Sequence, residues 1–515
     1  MPQEIELKLA ASPKDARRLT AAPLLQELAV EPWRTQRLRT TYFDTPDYAL
    51  WQRGLALRVR HAGRNRVQTL KIPQDGGDAM QTSREHEARV RTDAPDPAVL
   101  PMDDTVAALR AEGAFDRLGP LFTTIVRRRT CLVRLEDAQI EVAVDFGTLA
   151  AGDKTTPICE VELEIKSGPA IRLYDLALAL LDVAPFRLEG QSKAARGFAL
   201  VRDEPPPAPV RAKAAHLKSG MDAGAALAAL ARNCVEQLRA NEAVLLNGSD
   251  PEGVHQMRVA LRRLRALLAT FKSVLAEEPY NFLRGELRWL QHALGPAREW
   301  DVFLDDTIDR LVQRLPGEPG LPELREHARG ARDAAYAAAR TAVSSGRYTA
   351  LLLRLERWMA DGGWATAARD GNVGADTPVD VLADRVLARY DRRLRRVGKK
   401  HAELSLNDLH DVRIRAKKLR YAVEFFRDLY AKRMPKRYAR ALAEIQDALG
   451  GITDTIGAER LLDALDAQAG RGDGPPAGRA AAIVTGWEAA RAEIGLARFP
   501  DVWRTYRKSK PFWDA

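Results

Sequence analysis

The stretch Glu4-Ile5-Glu6-Leu7-Lys8-Leu9 alternates charged with aliphatic side chains. A β-strand points successive side chains to opposite faces. This stretch therefore predicts a strand with Ile5, Leu7 and Leu9 on one face and Glu4, Glu6 and Lys8 on the other. Two carboxylates on one strand face repel unless a cation lies between them, which makes a divalent metal the natural occupant. The pattern recurs at Cys159-Glu160-Val161-Glu162-Leu163-Glu164-Ile165. Two such strands predict a polar, charge-lined interior.

Cations gather on other alternating segments. Arg58 and Arg60 flank Val59, Lys71 follows Thr69-Leu70, Arg127-Arg128-Arg129 opens a strand, and Lys193 lies in Gln191-Ser192-Lys193-Ala194-Ala195-Arg196-Gly197. Strands are expected at 3–9, 38–44, 55–61, 66–72, 84–91, 127–135, 139–146 and 158–166, with helices at 12–28, 103–112 and 170–183. Closing these strands into a barrel, charged faces inward, would set a cationic wall against an acidic one; a packed small barrel would be apolar inside. Such an interior suits a highly anionic phosphate ligand, held by Arg and Lys, with carboxylates holding Mg²⁺ or Mn²⁺ and positioning a water. If Arg128 points inward, Arg127 and Arg129 point to solvent. Glu85 and Glu141 are equally compatible with site and surface. No P-loop motif is present.

Several segments of residues 1–203 resemble the CYTH, or triphosphate tunnel metalloenzyme, family. They are Glu4-Ile5-Glu6-Leu7-Lys8, which matches its ExExK signature, Thr41-Tyr42-Phe43-Asp44-Thr45-Pro46, Leu57-Arg58-Val59-Arg60, Thr69-Leu70-Lys71, Ile158-Cys159-Glu160-Val161-Glu162-Leu163-Glu164 and Ser192-Lys193-Ala194-Ala195-Arg196-Gly197. The resemblance implies an eight-stranded antiparallel β-barrel tunnel that binds triphosphates and cleaves them with a divalent metal. It implies that Lys8, Arg58, Arg60, Lys71, Arg128 and Lys193 bind the triphosphate. Glu4, Glu6, Asp145, Glu160, Glu162 and Glu164 would bind metal or orient water. Thr130 departs from the pattern, standing where such proteins often carry a second basic residue.

Asp203-Glu204-Pro205-Pro206-Pro207-Ala208-Pro209 then breaks the chain with a stiff linker, taken as 204–216. Residues 1–203 carry as many basic as acidic side chains, so the net charge of +10 lies entirely beyond this point. That excess predicts a polyanionic partner for the C-terminal part. From about 217 the pattern is helical, with loops at 316–322, 362–378 and 469–478.

The helical part repeats itself. Val254-His255-Gln256-Met257-Arg258-Val259-Ala260-Leu261-Arg262-Arg263-Leu264-Arg265 matches Leu409-His410-Asp411-Val412-Arg413-Ile414-Arg415-Ala416-Lys417-Lys418-Leu419-Arg420. The same offset carries Phe271 onto Phe426, Gln291 onto Gln446 and Leu294-Gly295 onto Leu449-Gly450. So long a period, with two copies, predicts a duplicated helical bundle, with repeats at 217–362 and 378–505 and a tail at 506–515. At helical spacing, Arg258, Arg262 and Arg265 form a basic stripe with His255, beside the apolar stripe of Met257, Leu261, Leu264, Leu268 and Phe271. His410, Arg413, Lys417 and Arg420 repeat it. Facing copies would build a basic groove for a chain of phosphates. Aromatic residues are sparse on these helices, which weakens a nucleic-acid reading. One His per helix does not make a metal site.

This repeat resembles the CHAD family over about residues 217–505, and that resemblance implies a duplicated four-helix-bundle domain that binds inorganic polyphosphate. The two-domain order is similar to bacterial inorganic triphosphatases. The expected activity is conversion of triphosphate to diphosphate and phosphate. Thiamine or nucleoside triphosphate hydrolysis, adenylate cyclisation and a non-catalytic polyphosphate scaffold are the alternatives. Three cysteines (Cys131, Cys159, Cys234) without disulfide or metal spacing, no apolar run of roughly 18 residues, and an acidic start unlike a signal peptide lead to the expectation of a cytoplasmic setting and no membrane partner. The implied polyphosphate binding adds the expectation of association with polyphosphate granules.

Overall fold

The computed structural model describes residues 3–74, 79–101, 104–248, 250–362, 374–398, 404–430, 436–468 and 478–513. Most of the loops expected at 362–378 and 469–478 lies outside them. The described chain divides into two compact units, 1–206 with 344–361, and 207–343 with 362–515.

The first unit is built on strands β1 (Gln3–Ala10), β2 (Arg34–Asp44), β3 (Ala56–Ala62), β4 (Asn65–Gln74), β5 (Met80–Arg89), β6 (Gly119–Leu135), β7 (Ala138–Ala151), β8 (Lys154–Ser167) and β9 (Arg187–Leu188). The sheet order is β5-β4-β3-β2-β6-β7-β8-β1-β9, and a further β5–β1 pairing closes the first eight strands into an antiparallel barrel. Helices α1 (Pro13–Thr20), α2 (Pro23–Leu28), α3 (Asp104–Ala111), α4 (Arg172–Leu181) and α5 (Lys193–Val201) complete its own sequence.

Side-chain parity makes the barrel unusual. Leu7, Leu9, Val142, Val144, Val161 and Leu163 point outward and pack with Leu19, Leu25, Leu173 and Leu180 of α1, α2 and α4. Phe43, Leu57, Val59 and Leu70 pack outward against Val106 and Leu109 of α3. The hydrophobic core thus lies outside the barrel wall, under the helices, and the charged parity is left to line the interior. Among the described residues, one part of the interior is apolar: Phe122, Leu149 and Ile158 pack with Ala194 and Phe198 of α5. Gly197 permits that approach, since a Cβ there would sit 2.1 Å from the Phe122 ring.

Two local expectations are corrected. The helix expected at 12–28 is split into α1 and α2. Pro23 opens α2 and holds Ala22 extended (φ −64°, ψ 129°), which ends the first helix. Helix α5 was not anticipated; Ser192 caps it by accepting from the Ala195 N–H at 3.1 Å.

The second unit holds α6 (Ala223–Ala240), α7 (Glu242–Asn247), α8 (Pro251–Thr270), α9 (Glu277–Val302), α10 (Asp309–Arg314) and α11 (Gly320–Val343). After α12 (Gly346–Asp361) come α13 (Val379–Val397), α14 (Leu406–Phe425), α15 (Lys436–Ala448), α16 (Gly450–Gln468) and α17 (Arg479–Lys508). Helices α6, α8, α9 and α11 pack in succession, as do α13, α14, α15 and α17 with α16. The two copies meet through α8 and α14, where Arg263 on α8 reaches Glu424 on α14 at 3.0 Å and the Phe271 and Phe426 rings lie 5.7 Å apart.

Helix α12 differs from the sequence reading, which counted it with the first helical repeat. It packs with the barrel unit: Leu353 joins the core under α4, the Thr349 hydroxyl donates to the Phe186 carbonyl at 2.7 Å, and Arg357 pairs with Asp175 at 2.6 Å. The expected tail at 506–515 is also corrected. Helix α17 runs through Tyr506 to Lys508, and Phe512 and Trp513 pack edge-on against Tyr438 at 5.4 and 5.5 Å, because three aromatic side chains bury together.

Candidate functional site

The barrel encloses a cavity of about 790 Å³. Lys8, Arg58, Arg60, Lys71, Arg128 and Lys193 line it, as do Glu4, Glu6, Asp145, Glu162 and Glu164. Register explains the convergence. Glu6, Lys8 and Ala10 on β1 face Glu164, Glu162 and Glu160 on β8, and Asp145 on β7 faces Glu160 from the other side. On the remaining strands Arg58 lies opposite Tyr42, Lys71 opposite Glu85, and Arg128 opposite Asp145.

Two charge networks result. In one, the Lys71 ammonium contacts Glu4 at 2.6 Å, Glu6 at 2.8 Å and Glu85 at 3.2 Å. Lys8 donates to Glu6 at 2.5 Å and to Gln81 at 2.9 Å. In the other, Arg128 holds Asp145 with two hydrogen bonds of 2.8 and 2.7 Å and also contacts Glu162. Lys193 reaches Asp145 at 2.7 Å, Glu162 at 2.9 Å, and Glu160. Burial opposes charge on Glu162, but Lys193 and Arg128 outweigh it and hold the carboxyl well below the usual range. Burial likewise works against the Lys71 ammonium, yet Glu6, Glu4 and Glu85 raise its pKa.

Arg60 stands apart. Among the described residues it has no ion-pair partner, and its buried Nε has no acceptor. Arg58 first, then burial and Arg128, push its pKa down to about 10. An enclosed guanidinium crowded by two others and without an ion pair among the described residues is a cation in want of an anion.

Asp145, Glu160 and Glu162 bring carboxylate oxygens within 4.8 Å of one another. A set of hard oxygen donors fits a divalent cation of the Mg²⁺ or Mn²⁺ kind. Glu160 is placed differently from its neighbours: it is 1% exposed, does not line the cavity, and is held by Lys193 and by Arg196 of α5. Glu164 lines the cavity and contacts Lys166 at 2.6 Å; burial, ahead of all else, raises its pKa.

In the helical unit, α8 and α14 bring two basic stripes together. The Lys417 ammonium is pushed down to about 8, by burial first and then by Arg262, Arg413, Arg420 and Arg258. Both copies of the motif therefore feed one cluster. The Nε atoms of Arg258, Arg262, Arg413 and Arg420 are buried without acceptors among the described residues. His255 lies beside this cluster, and burial, then Arg298, lowers its pKa. Arg265 turns toward Arg288 and Arg284 and contacts Gln291. His410 is exposed and is not drawn into the cluster.

Comparison with known proteins agrees with this arrangement. The CYTH domain profile matches residues 2–198 and the CHAD domain profile residues 229–463. The crystal structure of the CHAD domain from the plant Ricinus communis superimposes with a TM-score of 0.51 at 31% identity, covering 59% of this chain and 98% of that one. This is a CYTH–CHAD protein. Its curated relatives include an inorganic triphosphatase of Haemophilus influenzae, 32% identical over 205 residues, which are 39% of this chain and 55% of that protein. The match thus spans about half of that relative. An uncharacterized protein of Mycobacterium tuberculosis is 28% identical over 436 residues, 78% of this chain and 79% of the relative.

Some residues in and around the CYTH cavity were not read as site residues. Arg196, one helical turn from Lys193 on α5, does not line the cavity but holds Glu160. Gln81, Ser83 and Lys166 line the cavity, and Ser83 donates to Glu4 at 3.0 Å. Glu85 and Glu141 also line it. Strand parity was the available signal: Ser83 shares a face with Glu85, and Lys166 with Glu164. Arg127 and Arg129 do not line the cavity, and Arg129 lies over the Trp33 ring. Thr130 is also absent from the lining. In the CHAD domain, Arg298 and Lys418 were missed, because each lies off the stripe traced by the motif.

Proposed function

We propose that the CYTH domain hydrolyses inorganic triphosphate to diphosphate and phosphate with Mg²⁺ or Mn²⁺, and that the CHAD domain binds inorganic polyphosphate. The observation carrying the first reading is Arg60, a cation enclosed by the barrel, crowded by Arg58 and Arg128, with no ion pair and an unsatisfied Nε among the described residues. A triphosphate supplies the missing negative charge. Lys8, Arg58, Arg60, Lys71, Arg128 and Lys193, which line the cavity, hold its phosphoryl oxygens. Asp145, Glu160 and Glu162 would hold the metal, which draws charge from the phosphate oxygens when bound. The cavity carboxylates orient a water toward the terminal phosphorus.

The lining also includes Leu38, Trp51, Ala56 and Val126. That apolar stretch keeps an organic triphosphate as the second reading. A phosphate-release panel decides between them, with tripolyphosphate, thiamine triphosphate and ATP each tested under Mg²⁺ and Mn²⁺. Tripolyphosphate is expected to give the highest kcat/KM. A preference for either organic substrate replaces the first reading by the second.

The polyphosphate reading rests on the shared cluster around Lys417, and it has a pH signature. With its pKa near 8 in the free protein, Lys417 loses its proton as pH rises through that value. A bound polyanion favours the protonated form, so binding is tight below pH 8 and weakens above it. Between about pH 7 and pH 9 the affinity for polyphosphate should fall about tenfold. Lys417→Arg, which stays charged, should flatten the profile. An unchanged profile in that variant would show that another group is responsible.

A further inference from the structure

Helix α12 lies inside the stretch matched by the CHAD profile, yet it packs within the barrel unit, on α4 and on β9. Strand β9 is only Arg187–Leu188, set against Ala10 and Leu9 of β1. So short a strand at the end of the sheet holds little by itself. Thr349 of α12 adds a second hold. It is 1% exposed, and its hydroxyl donates at 2.7 Å to the carbonyl of Phe186, the residue that leads into β9.

Just beyond β9 the chain reaches the CYTH cavity, where Gly190, Ser192 and Lys193 form part of the lining. Residues 189–192 have no regular structure. Their place is set by a few bonds that also involve Lys8. The Glu189 N–H donates to the Lys8 carbonyl at 2.8 Å. The Gln81 amide nitrogen donates to the Gly190 carbonyl at 3.2 Å, and its amide oxygen accepts from the Lys8 ammonium at 2.9 Å. At the far end Ser192 caps α5, whose first residue is Lys193. The segment therefore hangs between two supports, the cap of α5 and the pair of holds on β9.

We infer that Thr349 is a positioning residue for the CYTH reaction. Through the Phe186 carbonyl it fixes the start of the segment that places the ammonium groups of Lys8 and Lys193. This rests on the reading above, in which those two groups hold the triphosphate. Without the hydroxyl, a buried carbonyl loses a donor and the segment is free to shift. A shift of about 1 Å at a charged group is enough to spoil its alignment with a bound anion. The CYTH cavity thus depends on a helix that the chain supplies from inside its CHAD sequence.

The test uses the full chain. Thr349→Val keeps the shape of the side chain and removes the donor. Its KM for tripolyphosphate should rise at least about fivefold with kcat within about twofold, since Lys8 and Lys193 would meet phosphate oxygens in the ground and transition states alike. Thr349→Ser keeps the hydroxyl and should stay within about twofold of the wild-type KM. Arg357→Ala cuts the pair to Asp175 about two turns further along α12 and should leave both constants within about twofold. Hydrogen exchange on the ligand-free chain gives a readout independent of turnover. In Thr349→Val, exchange at residues 187–192 should quicken at least about tenfold while β6 and β7 keep their protection.

Wild-type exchange in Thr349→Val overturns the role. Faster exchange with a wild-type KM overturns it too, because the hold would then be structural only. An equal rise of KM in Arg357→Ala also overturns it, by tracing the effect to general loosening of α12. A wild-type chain that prefers an organic triphosphate replaces the substrate reading alone; the exchange experiment and the KM for that substrate then decide the role of Thr349.

Discussion

Replacing Arg60 by methionine is expected to lower kcat/KM for triphosphate by about 10²–10³-fold while leaving the ligand-free barrel as stable as the wild type, or more stable by about 1 kcal/mol. Most cations of the cavity contribute to the free protein through carboxylates. Lys71 has three within reach, and Lys193 has three others. Arg60 makes no ion pair among the described residues, and the pull of Glu162 does not offset the push of Arg58 and Arg128. Removing it relieves repulsion in the free state and loses an interaction made only when the polyanion is present. Activity and stability should therefore move in opposite directions, as at sites where a strained group is retained for binding. Urea unfolding with and without tripolyphosphate reads both quantities, since the ligand should protect the variant far less than the wild type. Wild-type turnover, or a loss of several kcal/mol in the free protein, would count against this role for Arg60.

Glu162→Gln should also abolish most activity, by about 10³-fold, but with the opposite effect on stability. Glu162 accepts from Arg128 and Lys193 and belongs to the carboxylate trio with Asp145 and Glu160. Its amide analogue keeps the shape and loses the charge. Two enclosed cations then share less compensation, which should cost about 2 kcal/mol of stability at neutral pH. A carboxyl held below its usual pKa stabilises the folded state above its unfolded pKa, and that contribution disappears as pH falls through the folded value. The gap between wild type and Glu162→Gln should accordingly close in strong acid. Raising Mg²⁺ or Mn²⁺ should recover little turnover. Full recovery at high metal would show that Glu162 contributes metal affinity and nothing more. A variant of unchanged stability would mean that Glu162 is not needed to balance Lys193 and Arg128.

The two variants together probe an asymmetry that strand alternation already hinted at. The parity of Glu4, Glu6 and Lys8, of Arg58 and Arg60, and of Glu160, Glu162 and Glu164 was legible because a strand repeats every two residues whatever surrounds it. The basic stripes of α8 and α14 were legible for the same kind of reason, at helical period. Glu160 shows where parity stops. It has the inward parity of its neighbours, yet it is covered by Lys193 and Arg196, both supplied by a helix that the periodicity did not reveal. The split at Pro23 could have been read locally, since proline restricts the residue before it.

Helix α12 could not have been read at all. Its apolar face requires burial, but nothing in that face specifies which surface buries it, and the structure pairs Thr349 and Arg357 with Phe186 and Asp175. What the sequence by itself determined was therefore each element's faces: which side of a strand is charged, and which side of a helix is basic. Those are local properties of backbone geometry. Only the tertiary structure decided which charges meet. It left Arg60 without an ion pair among the described residues, set three acids around Lys193, and drew Lys417 among four arginines from two copies of one motif. Electrostatic strain depends on distances between residues remote in sequence, and those distances exist only once the barrel has closed and the helices have packed.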